Sequence, residues 1–203
     1  MTRLEWRSTN ERETIGFGEA LGAALVAPVW VGLSGTLGAG KTRLVQGIAA
    51  GLGYGGRVRS PSFVLEHRYP ARVPLRHLDL YRLESGFGDL EAAWEEDDRS
   101  VVVVEWADRV TARPARSISI RLDFEAAPPK GAGGLQPALG EEPARWIHLS
   151  WSAPGLLRDW DLRRARLGAD ALRHVATIPP GSTLSLAASE RDEPGQGKAA
   201  GAR

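Results

Sequence analysis

The chain has 203 residues, of which 42% are hydrophobic and 25% charged, with a formal net charge of +1 and no cysteine. That composition fits a globular domain of ordinary hydrophobicity. It excludes disulfides, zinc–thiolate sites and cysteine nucleophiles, and it supplies no overall basic field for non-specific nucleic-acid binding. No apolar run reaches transmembrane length, and no apolar stretch follows the first five residues, so the expected location is cytoplasmic.

Leu4 and Trp6 alternate with polar neighbours and predict a short edge strand. Asn10 and Glu13 have the spacing of a capping box. Ile15, Leu21, Ala24 and Leu25 continue from it as a helical stripe that ends before Pro28. The apolar run Val29–Leu33 predicts a buried strand. It leads into Gly35-Thr36-Leu37-Gly38-Ala39-Gly40-Lys41-Thr42, which fits the phosphate-binding pattern G-x-x-x-x-G-K-[ST]. Leu44, Ile48 and Leu52 follow at the spacing of one helix face. Strand, glycine loop and helix form the arrangement that phosphate binding requires. Glycines let successive N–H groups turn inward, and the helix N-terminus adds partial positive charge. Lys41 has the reach for β- and γ-phosphates, and the Thr42 hydroxyl suits Mg²⁺. On this reading Lys41 stands on a loop facing ligand, where little burial is expected.

Gly51, Gly53, Gly55 and Gly56 mark a connection. It runs into Arg57-Val58-Arg59-Ser60-Pro61-Ser62-Phe63, which reads equally as a Ser-Pro turn or as a switch segment beside the phosphates. Val64–Tyr69 and Leu75–Arg82 alternate as strands. In the second of these, Leu78 and Leu80 share one face, and His77, Asp79 and Tyr81 the other. Residues 89–94 predict a short helix. Four successive valines, Val101–Val104, indicate a strand buried on both faces. Glu105 directly after them is in the Walker B position, beside the phosphate loop at the carboxyl edge of the sheet.

Ser117–Phe124 and Ala144–Trp151 alternate and predict an antiparallel pair, with 126–143 as a flexible loop rich in Pro, Gly and Ala. Gly155–Val175 is amphipathic in patches. Its Leu157, Trp160, Leu167, Ala171 and Val175 suit core contacts, and its arginines, interleaved with Asp159, Asp161 and Asp170, suit a solvated helix face better than a surface for RNA or an acidic partner. Ala187–Arg203 has the composition of a disordered tail. The expected organisation is a P-loop ATPase domain over 1–175 and a largely disordered tail over 176–203.

Taken together, G-T-L-G-A-G-K-T at 35–42, S-P-S-F at 60–63, H-L-D-L-Y-R at 77–82 and V-E-W at 104–106 resemble the TsaE (YjeE) family, whose usual patterns are G-D-L-G-A-G-K-T, S-P-T-[FY], H-x-D-x-Y-R and V-E-W. The resemblance covers approximately residues 8–151. Thr36 stands where the family usually has Asp, and Ser62 where it usually has Thr.

The resemblance implies an α/β P-loop fold: a mixed sheet with a parallel centre, flanked by helices, and antiparallel C-terminal strands. It implies a Mg²⁺-dependent ATPase, weak alone, that supports turnover of the TsaD and TsaB proteins in tRNA threonylcarbamoyladenosine modification. The tRNA is then met through that complex. The site expected is Gly35, Thr36, Leu37, Gly38, Ala39, Gly40, Lys41, Thr42, Ser62 and Trp106 for ATP, and Thr42 and Glu105 for Mg²⁺. Lys41, Asp79 and Glu105 are the catalytic residues, and His77 and Tyr81 fix Asp79 or pack at the partner interface. Arg82 and Arg109 are the candidate charge-neutralising arginines. The alternative is a P-loop small-molecule kinase, which needs an acceptor pocket and an arginine-bearing lid; no lid-sized helical pair is visible after Trp106.

Overall fold

The computed structural model describes residues 2–83, 99–125, 143–151, 153–160 and 172–177, the last stretch by its backbone. The elements are β1 (Thr2–Ser8), α1 (Glu11–Ala24), β2 (Val29–Gly35), α2 (Lys41–Gly51), β3 (Glu66–Tyr69), β4 (Leu75–Asp79), β5 (Val101–Glu105), a 3₁₀ turn (Ala107–Arg109), β6 (Ser117–Phe124), β7 (Arg145–Trp151) and β8 (Leu172–Thr177). Among the described residues one sheet runs in the order β3-β4-β5-β2-β6-β7-β1-β8. Its centre is parallel, through β4–β5, β5–β2 and β2–β6. Both wings are antiparallel.

The central strands carry the run of apolar residues that burial on both faces demands. Val101 and Val103 join the larger core with Phe17, Leu21, Leu44 and Ile48 of the helices. Val102 and Val104 join a smaller core on the opposite face with Trp30, Leu78 and Leu80. Each fully buried valine or leucine contributes roughly 1.5–3 kcal/mol. The strand ending in Glu105 is therefore fixed by packing on both faces and by pairing on both edges. The helix entry is fixed locally: Glu13 N–H donates to Asn10 Oδ1 at 2.9 Å, and Thr9 N–H donates back to Glu13 Oε2 at 2.7 Å. Of the predicted capping box the Asn10 half is formed, whereas the Glu13 carboxylate reaches back to Thr9, one residue before the cap, rather than to the Asn10 N–H.

Three expectations are corrected. β1 is not an edge strand, because β8 pairs along its free side. Residues 172–177 are that strand rather than the end of a helix; Leu172-Arg173-His174-Val175-Ala176-Thr177 has pairing partners along β1 that a helical reading overlooks. β3 begins at Glu66 rather than Val64, because the N–H groups of Val64 and Leu65 both turn back to Pro61 O and Leu65 adopts φ 68°. The predicted helix at 89–94, the loop over 126–142 and the tail from Ala187 lie outside the described residues. Among the described residues no helix is long and apolar enough to cross a membrane.

Candidate functional site

The loop between β2 and α2 turns on glycines at positive φ. Gly35 has φ 125°, and a Cβ there would strike the Leu122 carbonyl of β6. Gly40, at φ 100°, caps α2, and a Cβ there would lie 2.7 Å from Arg145 Nη1. No side chain caps α2, so the N–H groups of its first turn are open to an anion. The loop borders a cavity of about 260 Å³, lined by Leu37, Gly38, Gly40, Lys41 and Thr42 together with Ser62, Asp79, Glu105 and Trp106.

Lys41 begins α2 and is 5% exposed, contrary to the expectation of a little-buried loop lysine. Its Nζ donates to Gly35 O and Thr36 O, each at 2.8 Å, and lies 3.8 Å from the centre of the Trp106 ring. Desolvation pulls its pKa below the ordinary 10.5, against the attraction of Glu105, Asp79 and Asp108. Trp106 holds φ 62°, ψ 40° directly after β5. A left-handed non-glycine residue costs roughly 1–2 kcal/mol, and such strain gathers at functional sites. Here it lays the indole under the ammonium, with Tyr81 5.0 Å beyond.

Two carboxylates reach the cavity from adjacent parallel strands, in register at Asp79↔Glu105. Thr42 Oγ1 donates to Glu105 Oε1 at 2.9 Å and lies 3.2 Å from Oε2. Ser60 and Ser62 hydroxyls each donate to Asp79 Oδ2 at 2.6 Å. The Tyr81 N–H donates to Asp79 Oδ1 at 2.9 Å. Asp79 and Glu105 are both nearly buried, so these donors are what makes their charge tolerable. A hydroxyl and two carboxylates are hard oxygen ligands of the kind Mg²⁺ takes. Among the described residues no three His, Cys, Asp or Glu side chains are grouped to hold a metal ion.

The sequence-derived residues converge here, with three differences in role. Gly35 and Thr36 meet the site through carbonyls that hold Lys41, and Ala39 is buried beneath the loop. His77 does not fix Asp79; its Nε2 lies 2.9 Å from Glu105 Oε1. Tyr81 holds Asp79 by its backbone rather than its phenol. The candidate arginines are elsewhere: Arg109 Nη1 donates to Leu80 O and Leu83 O, and Arg82 lies over the Phe63 ring at 4.4 Å. Arg43 and Arg145 line the cavity instead, as do Glu11, Ser60 and Tyr81. Arg145 is nearly buried at the start of β7, over a hundred residues from the loop it abuts. Only the β1–β7–β6 pairing brings it there, and no spacing in the sequence signals it.

A family model described as "Threonylcarbamoyl adenosine biosynthesis protein TsaE" matches residues 8–129. The "tRNA threonylcarbamoyladenosine biosynthesis protein TsaE" of a Nostoc species is 40% identical over 121 residues, covering 57% of this chain and 75% of that one. The protein of the same description from Bacillus subtilis is 41% identical over 109 residues, covering 53% and 68%. The crystal structure of Bacillus subtilis YdiB superposes with a TM-score of 0.56 at 25% identity, covering 82% of this chain and 95% of that one.

Proposed function

The chain belongs to the TsaE family of tRNA threonylcarbamoyladenosine biosynthesis proteins, and from that premise we propose that it is a cytoplasmic Mg²⁺-dependent ATPase that supports turnover of the TsaD–TsaB complex. The observation that carries the reading is the convergence of Thr42, Glu105 and Asp79 on one cavity beside Lys41 and the glycine loop.

The loop N–H groups, the first turn of α2 and Lys41 bind the phosphates. Lys41 leaves its two carbonyl partners to do so, and the Trp106 face is the surface along which its ammonium moves. Thr42 and Glu105 would hold the cation, with Asp79 close by; Mg²⁺, when bound, would neutralise charge on the transferring phosphoryl group. Asp79 has one of about four acceptor positions left after Ser60, Ser62 and Tyr81 are satisfied, and that position orients the attacking water. Arg145 and Arg43, both lining the cavity, supply positive charge there. Thr36 meets Lys41 through its carbonyl, a contact that does not depend on the side chain at this position.

TsaD and TsaB carry the transfer chemistry and meet the tRNA; hydrolysis here resets them. Phosphate release from ATP, measured with and without purified TsaD and TsaB, tests the reading. Slow release alone that rises with the partners, with no phosphorylated small molecule formed, is expected. Release equally fast without the partners contradicts it, and a phosphorylated acceptor favours the kinase alternative.

A further inference from the structure

The two ring nitrogens of His77 have opposite surroundings. Nε2 lies 2.9 Å from Glu105 Oε1, and the side chain is wholly buried. Nδ1 is buried with no hydrogen-bond partner among the described residues. An ionised carboxylate only accepts, so the arrangement that leaves no N–H orphaned puts the ring proton on Nε2. The opposite tautomer would bury a lone N–H and set an imidazole lone pair against a carboxylate, each unfavourable in the interior.

The ring cannot easily swing away. His77 is the middle residue of β4, paired with Val103 of β5 and with His67 of β3. The Tyr69 ring packs beside it, 6.4 Å between centres. The Tyr69 hydroxyl in turn donates to Arg59 O at 3.1 Å and accepts from Arg59 N–H at 3.3 Å. Arg59 precedes Ser60, the donor to Asp79. The β3–β4 hairpin thus braces both acids, Glu105 through His77 and Asp79 through the segment Tyr69 pins.

Among the described residues Glu105 has two side-chain donors, Thr42 and His77. On the reading proposed above, which this inference deepens, the Thr42 hydroxyl turns to the cation and its bond to Glu105 is lost. His77 is then the donor that remains. We infer that His77 is a positioning residue: its Nε2–H holds the Glu105 carboxylate in the cavity-facing orientation while Thr42 changes partner. Outer donors of this kind, which orient a metal-binding carboxylate, typically alter metal affinity by 10–100-fold when removed.

Two measurements test this. The first is the tautomer of His77 in the free full-length protein, by long-range ¹⁵N–¹H correlation; the proton on Nε2 is expected, and the proton on Nδ1 overturns the inference. The second is the affinity for a fluorescent ATP analogue with saturating Mg²⁺ and, separately, with EDTA. His77→Phe keeps the ring and removes the donor, and His77→Gln keeps an N–H at similar reach. His77→Phe is expected to weaken binding about tenfold or more with Mg²⁺ and less than about twofold in EDTA, with His77→Gln recovering most of the loss. Equal weakening under both conditions means His77 only supports the fold, and no weakening means Glu105 needs no brace; either overturns the inference. If His77→Phe does not fold, the tautomer measurement decides. Wild-type protein that binds no nucleotide under either condition contradicts the ATPase reading instead, which the tautomer measurement leaves separate.

Discussion

Thr42 Oγ1 and Glu105 Oε1 are 2.9 Å apart, although 63 residues separate them in the chain. One lies in the first turn of α2 and the other closes β5, and β2 ties the two by pairing in parallel with β5 up to Leu33↔Glu105. The register of two buried strands therefore sets the distance between the hydroxyl and the acid. A slip of one residue would carry Glu105 to the opposite face of the sheet and out of reach of Thr42, so the pairing that builds the sheet also aligns the site.

Replacing Lys41 separates binding from stability. Desolvation is the largest influence on Lys41 and leaves its folded pKa below the ordinary 10.5. Between those two values the unfolded chain binds more protons, so stability rises with pH across that window. Below it, the charged lysine weighs against the fold. Lys41→Met is expected to unfold no more easily than wild type in urea at pH 7 and to lose Mg·ATP binding. Its advantage should shrink as pH rises toward 10.5. A variant clearly less stable at pH 7, or a gap that stays constant with pH, counts against this account of the site.

The serines of 60–63 act on Asp79, not simply as turn formers. Ser62→Thr keeps the hydroxyl and should retain turnover. Ser60→Ala with Ser62→Ala leaves a nearly buried carboxylate with only the Tyr81 N–H among its described donors. Each lost bond to a charged group is worth about 1.5–3 kcal/mol, so urea unfolding should show destabilisation of that order. Phosphate release should fall while nucleotide affinity changes little. Unchanged release in the double variant would show that the segment is a plain turn.

Much of this was legible in the sequence, because it rests on local periodicity and on motifs whose neighbours are adjacent in the chain. The Asn10 cap on Glu13, the strand before the glycine loop, the valine strand and its terminal Glu105 all follow from spacing alone. The misreadings share a different cause. Arg145 at the loop, β8 beside β1 and the bond from His77 to Glu105 rather than Asp79 each depend on which strand lies next to which. His77 and Asp79 do share a strand, as the alternation indicates, but their partners come from β5 and from the 60–62 segment. Pairing order is a property of the whole core, and one strand's pattern does not encode it.

The β3–β4 hairpin should show its own acid sensitivity. Burial pushes the Glu66 carboxyl up, but hydrogen bonds and charge from Arg76, then Arg68, outweigh it and hold the group below its ordinary 4.5. This stability is present above the ordinary value and is lost as pH falls through the lowered folded value. Arg76 Nε donates to Glu66 Oε1 at 2.9 Å from a nearly buried position. Glu66→Gln should cost about 1–3 kcal/mol at pH 7, and the cost should fade in acid. A cost that persists unchanged to pH 2 would place the effect in packing rather than charge.

The central claim is that Thr42 and Glu105 form the cation end of a nucleotide site whose water-orienting acid is Asp79. Calorimetric titration of ATP at several Mg²⁺ concentrations, on wild type, Glu105→Gln and Asp79→Asn, with phosphate release measured beside it in the presence of TsaD and TsaB, tests it most directly. Both variants should lose turnover. Glu105→Gln should also weaken Mg·ATP binding and flatten its Mg²⁺ dependence, whereas Asp79→Asn should bind close to normally. Lost affinity in Asp79→Asn with normal affinity in Glu105→Gln would contradict the assignment of the two acids, and normal turnover in both would contradict the site.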